Sequence, residues 1–192
     1  MDGALVEVIG YLDEASRTKT GGLLYVVGAA VIIDGDADRA RGELRKLLLP
    51  RQKYLHWANE RDARRRLIID AVSEIGTLVI AASYFPTTNR RQEAARRDCL
   101  TNVAADLCKE GAKELVMETR GEVQDRKDNQ TLLDAGHAGL TPDLRYRHQG
   151  KLEEPLLWAA DAVVGAITAH LSGAGSEHFA RLDARLLKLR QL

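Results

Sequence analysis

The sequence has no net charge, little cysteine and no long hydrophobic run. Basic and acidic side chains number 28 each in 192 residues, which excludes a highly charged disordered chain and a protein that coats DNA through its overall charge. Any contact with nucleic acid must therefore be local. The longest apolar run, at 156–169, contains Asp161 and is too short to cross a bilayer. Because the first residues also lack the basic and apolar regions of a signal peptide, we expect a cytoplasmic protein without a membrane partner.

Several functional motifs are absent as well. The sequence contains no glycine-rich phosphate loop, no nucleophile elbow and no dinucleotide-binding fingerprint. The two cysteines, Cys99 and Cys108, lie in one predicted helix, about 13 Å apart and on opposite sides. They cannot form a disulfide with each other, and no histidine stands near them at metal-ligand spacing. We therefore expect two reduced thiols.

The hydrophobic pattern predicts one α/β domain. A hydrophobic content of 45% is enough for a sizeable core. Apolar runs rich in β-branched residues predict strands at 6–12, 23–33, 77–84 and 114–117, the first two forming a hairpin, with a weaker edge strand at 144–148. Helical spacing predicts helices from 36 to a stop at Pro50, and at 60–75, 90–110, 130–135 and 156–171. This order predicts a three-layer α/β domain over residues 1–172, with a mixed sheet flanked by helices.

Residues 173–192 show a different pattern. After a break at 173–176, Phe179, Leu182, Leu186 and Leu189 recur at helical spacing with arginines between them. The spacing predicts a C-terminal amphipathic helix that packs on the domain or on a partner. A homodimer through this helix is one such arrangement.

Three acidic residues stand where hydrophobic segments end or are interrupted. Asp13 closes the first predicted strand, Glu118 closes the fourth, and Asp161 is the only charged residue at 155–169. A carboxylate in a helix that is apolar on nearly all sides needs a partner, because an unpaired buried charge is strongly destabilising. A shared Mg²⁺ or Mn²⁺ ion is one solution, since these ions prefer carboxylate oxygens from separate elements. Two such ions could activate a water molecule and stabilise a leaving oxygen.

Each of these acids also has an ordinary structural interpretation. Asp161 could form an ion pair with an arginine such as Arg120 or Arg147. Asp13 could be a turn residue at the end of a strand. Asp13 and Glu14 are adjacent on an extended strand, so their side chains point to opposite faces. We predict Asp13 as the ligand and Glu14 as an indirect or solvated neighbour.

Three segments resemble a known family. The stretch GYLDEAS at 10–16 resembles the (Y/F)-(I/L)-D-E-S-G start of the DUF3800 family, bacterial and phage proteins assigned a ribonuclease H-like fold. The stretch LLWAADAVVGA at 156–166 resembles that family's closing L-Q-x-A-D-x-x-x-G-A helix, and YLHW at 54–57 is similar to its middle E-x-H segment. The chain departs from the pattern at Ala15, Ser16, Trp158 and Glu118, where Ser, Gly, Gln and Asp are more usual.

The resemblance covers nearly the whole chain and implies a ribonuclease H-like fold. It also implies that Asp13, Glu118 and Asp161 form a catalytic, metal-binding carboxylate set. Asp125 or Asp128 would be a further member of this set.

Together these features predict metal-assisted phosphodiester hydrolysis by a nuclease that uses two Mg²⁺ or Mn²⁺ ions and acts on RNA, an RNA–DNA hybrid or DNA. Ser16, Lys19 and Arg120 are predicted to position the substrate backbone. The arginines of the helices at 60–75 and 90–110 could assist, although charge runs on helices are usually solvated. His56 is either an additional contact of the site or a satisfied structural residue.

Two alternative functions remain open from the sequence. A non-catalytic ribonuclease H-like module would bind nucleic acid or a protein partner, and it predicts Asp161 in a salt bridge instead of facing metal. A small-molecule phosphohydrolase would need a closed pocket in place of an open basic groove.

Overall fold

The computed structural model describes residues 7–192, and helices and strands alternate along most of this part of the chain. Its strands are β1 (Val8–Lys19), β2 (Gly22–Ile33), β3 (Leu78–Thr87), β4 (Ala112–Glu118), β5 (Arg145–Gln149) and β6 (Leu187–Gln191). Its α-helices are α1 (Asp34–Lys46), α2 (Asp62–Glu74), α3 (Gln92–Lys109), α4 (Glu122–His137) and α5 (Leu156–Leu171). Short 3₁₀ turns lie at Trp57–Asn59, Asn89–Arg91, Phe179–Arg181 and Ala184–Leu186.

The strands form one mixed sheet in the order β5-β4-β1-β2-β3-β6. The hairpin of β1 and β2 and the β2–β3 pair are antiparallel, whereas β4 runs parallel to β1, β5 to β4 and β6 to β3. Helices α1, α2 and α5 bury their apolar side chains on one face of the sheet, and α3 and α4 bury theirs on the other. The predicted three-layer α/β class, the hairpin and the edge strand at 145–149 are confirmed.

Helix α5 approaches the sheet closely beside Asp13. Gly28 of β2 is the register partner of Asp13. A Cβ atom added at Gly28 would lie 2.8 Å from the Cγ2 atom of Val164 in α5, a separation that a real side chain does not tolerate. Glycine at this position therefore lets the most apolar helix of the chain lie directly on the strands that carry the site.

Several element boundaries differ from the predicted ones. Strand β1 continues to Lys19, because the hairpin with β2 extends through the polar residues that were predicted as a turn. Residue 6, where this strand was predicted to begin, lies outside the described residues. Helix α4 is longer than predicted and starts at Glu122, with a mostly polar sequence whose buried side chains are few. None of the described helices is long and apolar enough to cross a membrane.

The predicted C-terminal helix is wrong. Residues 173–192 contain two 3₁₀ turns followed by β6, which extends the sheet at the edge of β3. Leu187 and Leu189 alternate toward the core while Lys188 and Arg190 point outward, so the period of two at the end of the chain prevails over the helical spacing before it. The homodimer prediction thereby loses the helix on which it depended.

The two cysteines are unpaired, as predicted. Cys99 is buried and Cys108 is half-buried on α3. Burial raises the pKa of the Cys99 thiol to about 12. Cys99 is therefore a core residue whose thiol stays protonated at neutral pH.

Candidate functional site

Asp13 and Glu118 lie side by side where two parallel strands separate. The β1–β4 ladder ends at the residues just before these two acids. Both side chains lie on the α5 face of the sheet, Asp13 in alternation with Tyr11 and Glu118 in alternation with Val116. Glu14 points to the opposite face, as the strand alternation predicted. The strand ends thus place two carboxylates next to each other beneath α5.

Asp161 reaches the same place from α5. Its Oδ2 atom accepts a hydrogen bond from the backbone N–H of Trp57 at 2.8 Å and lies 3.0 Å from Nδ1 of His56. The 56–57 segment can cross α5 here because Gly165 has no side chain, since a Cβ atom at Gly165 would lie within 3 Å of the Trp57 ring. Arg65 donates to the carbonyl oxygen of Trp57 at 3.0 Å. The segment that contains His56 is therefore held on both sides.

Lys151 lies at the centre of the three carboxylates. Its Nζ atom is 3.0 Å from Oδ2 of Asp13, 2.9 Å from Oε2 of Glu118 and 3.3 Å from Oδ2 of Asp161. The side chain is buried, and the Lys151 carbonyl oxygen accepts a hydrogen bond from Nε1 of Trp158 at 2.8 Å. Lys151 lies in a turn after β5 with no motif around it, so the sequence alone does not single it out.

The ionisation of the site follows from burial and mutual charge. Burial and the negative charges of Asp161 and Glu118 raise the pKa of Asp13 well above its usual value, although Lys151 opposes them. Burial also acts to raise the pKa of Asp161, but the bond to His56 and the charge of Lys151 prevail and lower it. Burial acts to lower the pKa of Lys151, but the charges of the three acids prevail and raise it. The cluster thus has more negative charge than its lysine compensates, which is why the pKa of Asp13 is raised.

The donor set suits a hard divalent cation. Oδ2 of Asp13 is buried, and its contact with Lys151 lacks the angles of a hydrogen bond, so this oxygen has no hydrogen-bond partner. Glu118 and Asp161 supply further carboxylate oxygens from two other elements, as Mg²⁺ and Mn²⁺ prefer. An ion shared by these oxygens would compete with the ammonium group of Lys151 for the same position.

A second charged cluster lies on the opposite face of the sheet. Arg96, which is 2% exposed, pairs with Glu14 and donates two hydrogen bonds to Asp128 at 2.8 and 2.7 Å. Arg120 contacts Asp128 at 3.0 Å and Glu93 at 3.0 Å. Glu14 is thus an ion-pair partner of arginines on the other side of β1 from Asp161.

Asp125 and Asp128 do not join the carboxylates of the α5 face, so the fourth position implied by the family resemblance is not filled by either. Together with His148 they offer ligand atoms within 4.8 Å of one another, which would accommodate an ion. Both aspartates already have donors, however. Asp125 accepts bonds from the Thr119 hydroxyl at 2.6 Å and from the Arg120 N–H at 2.8 Å, and Asp128 is held by two guanidinium groups. His148 has no ligand partner near it in the sequence, and the fold brings these two aspartates to it.

The residues predicted to bind substrate are widely separated. Arg120 lines the cavity at the carboxyl ends of β1 and β4. Lys19 is six residues beyond Asp13 along the same strand, about 20 Å away, and donates to the Leu171 carbonyl oxygen at 3.0 Å. Ser16 is exposed between them. The structure therefore brings only Arg120 to the cavity.

The arginines of the predicted helices mostly have partners within the chain. Arg64 pairs with Glu60, and Arg66 pairs with Asp62 and Glu177. The contacts of Arg66 are typical of a solvated helix face, whereas Glu60, the partner of Arg64, is buried.

The alternative interpretation, an ion pair of Asp161 with Arg120 or Arg147, is not what the structure shows. Arg147 donates to Glu114 at 2.6 Å, and Arg120 lies on the other face of the sheet. Asp161 instead forms a salt bridge with Nζ of Lys151 at 3.3 Å and lies 3.0 Å from Nδ1 of His56.

A cavity of about 290 Å³ gives access to the site. The three carboxylates, His56 and Lys151 form one side of its lining, and Glu14, Arg96 and Arg120 form the other. The cavity therefore brings acidic and basic side chains within a few ångströms of each other at the carboxyl ends of β1 and β4.

Comparison with solved structures supports the fold. The chain is similar to a chain of the PCNA:RNase HII complex from Archaeoglobus fulgidus, with a TM-score of 0.58 and 16% sequence identity over 89% of this chain and 76% of the other. The similarity shows a ribonuclease H-like fold. No protein-family model matches the sequence, and no curated protein is similar to it at a significant level.

Proposed function

We propose that the protein is a divalent-metal-dependent phosphodiester hydrolase, a nuclease of the ribonuclease H-like type that acts on RNA or DNA. The observation that supports this most directly is the meeting of Asp13, Glu118 and Asp161 around one point, with Oδ2 of Asp13 buried and without a hydrogen bond. The ribonuclease H-like fold agrees with this assignment but does not establish it.

The residues of the cavity have distinct roles in this proposal. Asp13, Glu118 and Asp161 would hold Mg²⁺ or Mn²⁺, and the bound metal would supply an activated water and stabilise the leaving oxygen. His56 orients Asp161 through Nδ1, which leaves Nε2 as the atom that can exchange a proton within the cavity. Lys151 and Arg120 provide positive charge for the phosphate.

Titration calorimetry with Mn²⁺ and Mg²⁺ tests this proposal. The wild type is expected to bind both ions. Asp161→Asn is expected to lose this binding, because an amide nitrogen replaces one carboxylate oxygen and the negative charge is lost. Asp143→Asn is a matched control, since Asp143 is exposed and its positive φ of 59° is one that asparagine also adopts. Absence of binding by the wild type at millimolar metal would contradict the proposal, and a positive result leads to a cleavage screen with RNA, DNA and hybrid substrates.

A second candidate function is a non-catalytic module that binds nucleic acid or a protein partner. The salt bridge between Asp161 and Lys151 favours it, because a lysine that permanently occupies the position between the carboxylates would leave no place for a metal ion. In that case Mn²⁺ leaves the melting temperature unchanged, and Asp161→Asn does not alter ligand binding.

A further inference from the structure

A second cavity adjoins the candidate site. Its volume is about 260 Å³, and it shares Glu118 and Lys151 with the first cavity. Tyr54, Leu152 and Glu153 line the rest of it. A ligand that is longer than the carboxylate site could therefore also occupy this second cavity.

Two large apolar side chains are exposed in this second cavity. Tyr54 is 38% exposed and Leu152 is 64% exposed. Tyr54 stands two residues before His56, and Leu152 follows Lys151 directly, so both are attached to residues that form the site. Leu55, which is 2% exposed, anchors the Tyr54 segment in the core. The two apolar side chains are thus presented from fixed positions at the rim of the site.

Positive charge lies next to this apolar surface. Arg51 and Lys53 are exposed and precede Tyr54, and neither forms an ion pair with any of the side chains that the structure describes. Most arginines of α2, by contrast, are paired. Exposed cations interleaved with an aromatic ring form the pattern that binds phosphates and stacks bases at the same time.

We propose that Arg51, Lys53, Tyr54 and Leu152 form a binding site for single-stranded nucleic acid. An unpaired base lies on Tyr54 against Leu152, and Arg51 and Lys53 contact the adjacent phosphates. The backbone then continues past Lys151 into the carboxylate site. This inference builds on the proposed nuclease function and narrows its substrate class.

The preference for single strands has a physical reason. A base inside a duplex is covered on both faces by its neighbours, so only an unpaired base can stack on a side chain. Tyr54 and Leu152 offer exposed apolar side chains to a base, and stacking on an aromatic ring does not depend on base identity. The site is therefore expected to bind single strands with little sequence preference.

Fluorescence anisotropy in EDTA tests the site without hydrolysis. The probes are a fluorescein-labelled oligothymidylate, an oligouridylate and a blunt duplex of the same length. Tyr54→Ala is expected to weaken binding of the single strands by roughly 5-fold to 100-fold, whereas Tyr54→Phe retains the ring and binds like the wild type. Val123→Ala on α4 is the control, because Val123 is also an exposed apolar residue. Lys53→Gln is expected to reduce the slope of log Kd against log salt by about 0.7.

The outcomes separate this site from the proposed hydrolase. The inference is overturned if Tyr54→Ala binds the single strands as the wild type does, if the duplex binds as tightly, or if the wild type binds neither probe. Tyr54-dependent binding by a protein that does not bind Mn²⁺ would support the single-strand site and contradict the hydrolase. Mn²⁺ binding by a protein whose affinity for single strands does not depend on Tyr54 would support the hydrolase and overturn the single-strand site.

Discussion

Nδ1 of His56 lies 3.0 Å from Oδ2 of Asp161, although the two residues are 105 positions apart in the chain. The backbone N–H of Trp57 donates to the same oxygen. Two donors on one oxygen fix the rotamer of the carboxylate. Groups that orient a metal ligand in this way contribute to metal affinity without touching the metal.

His56→Ala is therefore expected to reduce Mn²⁺ affinity by roughly 10-fold, because Asp161 loses its side-chain donor but keeps the Trp57 bond. Calorimetry on the folded variant measures this change. His137→Ala, at the exposed end of α4, serves as the control. Equal affinity in the His56 variant and the wild type would show that His56 does not orient the ligand.

Lys151→Met is expected to separate two effects of this lysine, namely its stabilisation of the metal-free protein and its competition with a bound metal ion. Without the ammonium group the metal-free protein should lose about 3 kcal/mol of unfolding free energy, since buried Asp13 and the half-buried Glu118 and Asp161 lose their cation. Mn²⁺ should bind more tightly and restore stability, because the competing charge is gone. Urea unfolding with and without Mn²⁺ measures both effects.

Lys109→Met provides the comparison for that variant. Lys109 forms an exposed pair with Asp106, so its loss should cost less than about 1 kcal/mol. Mn²⁺ affinity that stays equal or falls in Lys151→Met would mean that the lysine does not compete with the ion.

Gly165→Ala is expected to damage both stability and the site. The new Cβ atom meets the Trp57 ring, and overpacking of this kind costs about 1–3 kcal/mol. Displacement of Trp57 also moves the N–H that donates to Asp161. Thermal unfolding and Mn²⁺ titration should both report the change.

Gly42→Ala is the matched control for the helical glycine. Gly42 lies in α1 with nothing within 4 Å of an added Cβ atom, so alanine should stabilise the helix slightly. If Gly165→Ala were also neutral, Trp57 would not be held against α5 as described.

Asp128→Asn is expected to show a pH-dependent loss of stability. Burial acts to raise the pKa of Asp128, but Arg96, His148 and Arg120 prevail and hold it well below its usual value. A depressed pKa contributes stability above the unfolded value of about 3.9, and this stability disappears as the pH falls. The variant should therefore lose about 3 kcal/mol at pH 7.

The difference from the wild type should narrow below about pH 4, because Asp128 then takes up a proton in the unfolded chain while it stays charged in the folded one. Urea unfolding at neutral and acidic pH measures it, with Asp134→Asn, exposed on the same helix, as the control. A difference that stays constant down to pH 3 would contradict the charge pairing with Arg96.

The sequence predicted the elements whose local pattern and tertiary environment agree. α5 was predicted with its observed ends because its apolar run begins after Pro155 and ends before a glycine. The opposite directions of Asp13 and Glu14 followed from strand alternation. In α2, spacing by four would place Ala63, Leu67 and Ala71 toward the core, but Leu67 is exposed and the buried residues are Ile68, Ile69 and Val72.

The parts that were missed depend on contacts between distant segments. Lys151 has no recognisable motif, and only the fold places its ammonium group among acids from three other elements. β6 resembles a helix by the spacing of its leucines, but the free edge of β3 provides hydrogen bonds that a strand can satisfy. Arg96 was grouped with surface arginines because nothing in its helix indicates that Asp128 and Glu14 lie beneath it.

The charged centre joins β1, β4, the turn after β5, and α5, so it exists only when the whole sheet is assembled. An ion held there would be a cross-link specific to the folded chain. At a concentration one hundred times its dissociation constant it would add about 2.7 kcal/mol to the free energy of unfolding. Detachment of α5 alone would remove Asp161 and release the ion, which couples exchange of the ion to local opening of that helix.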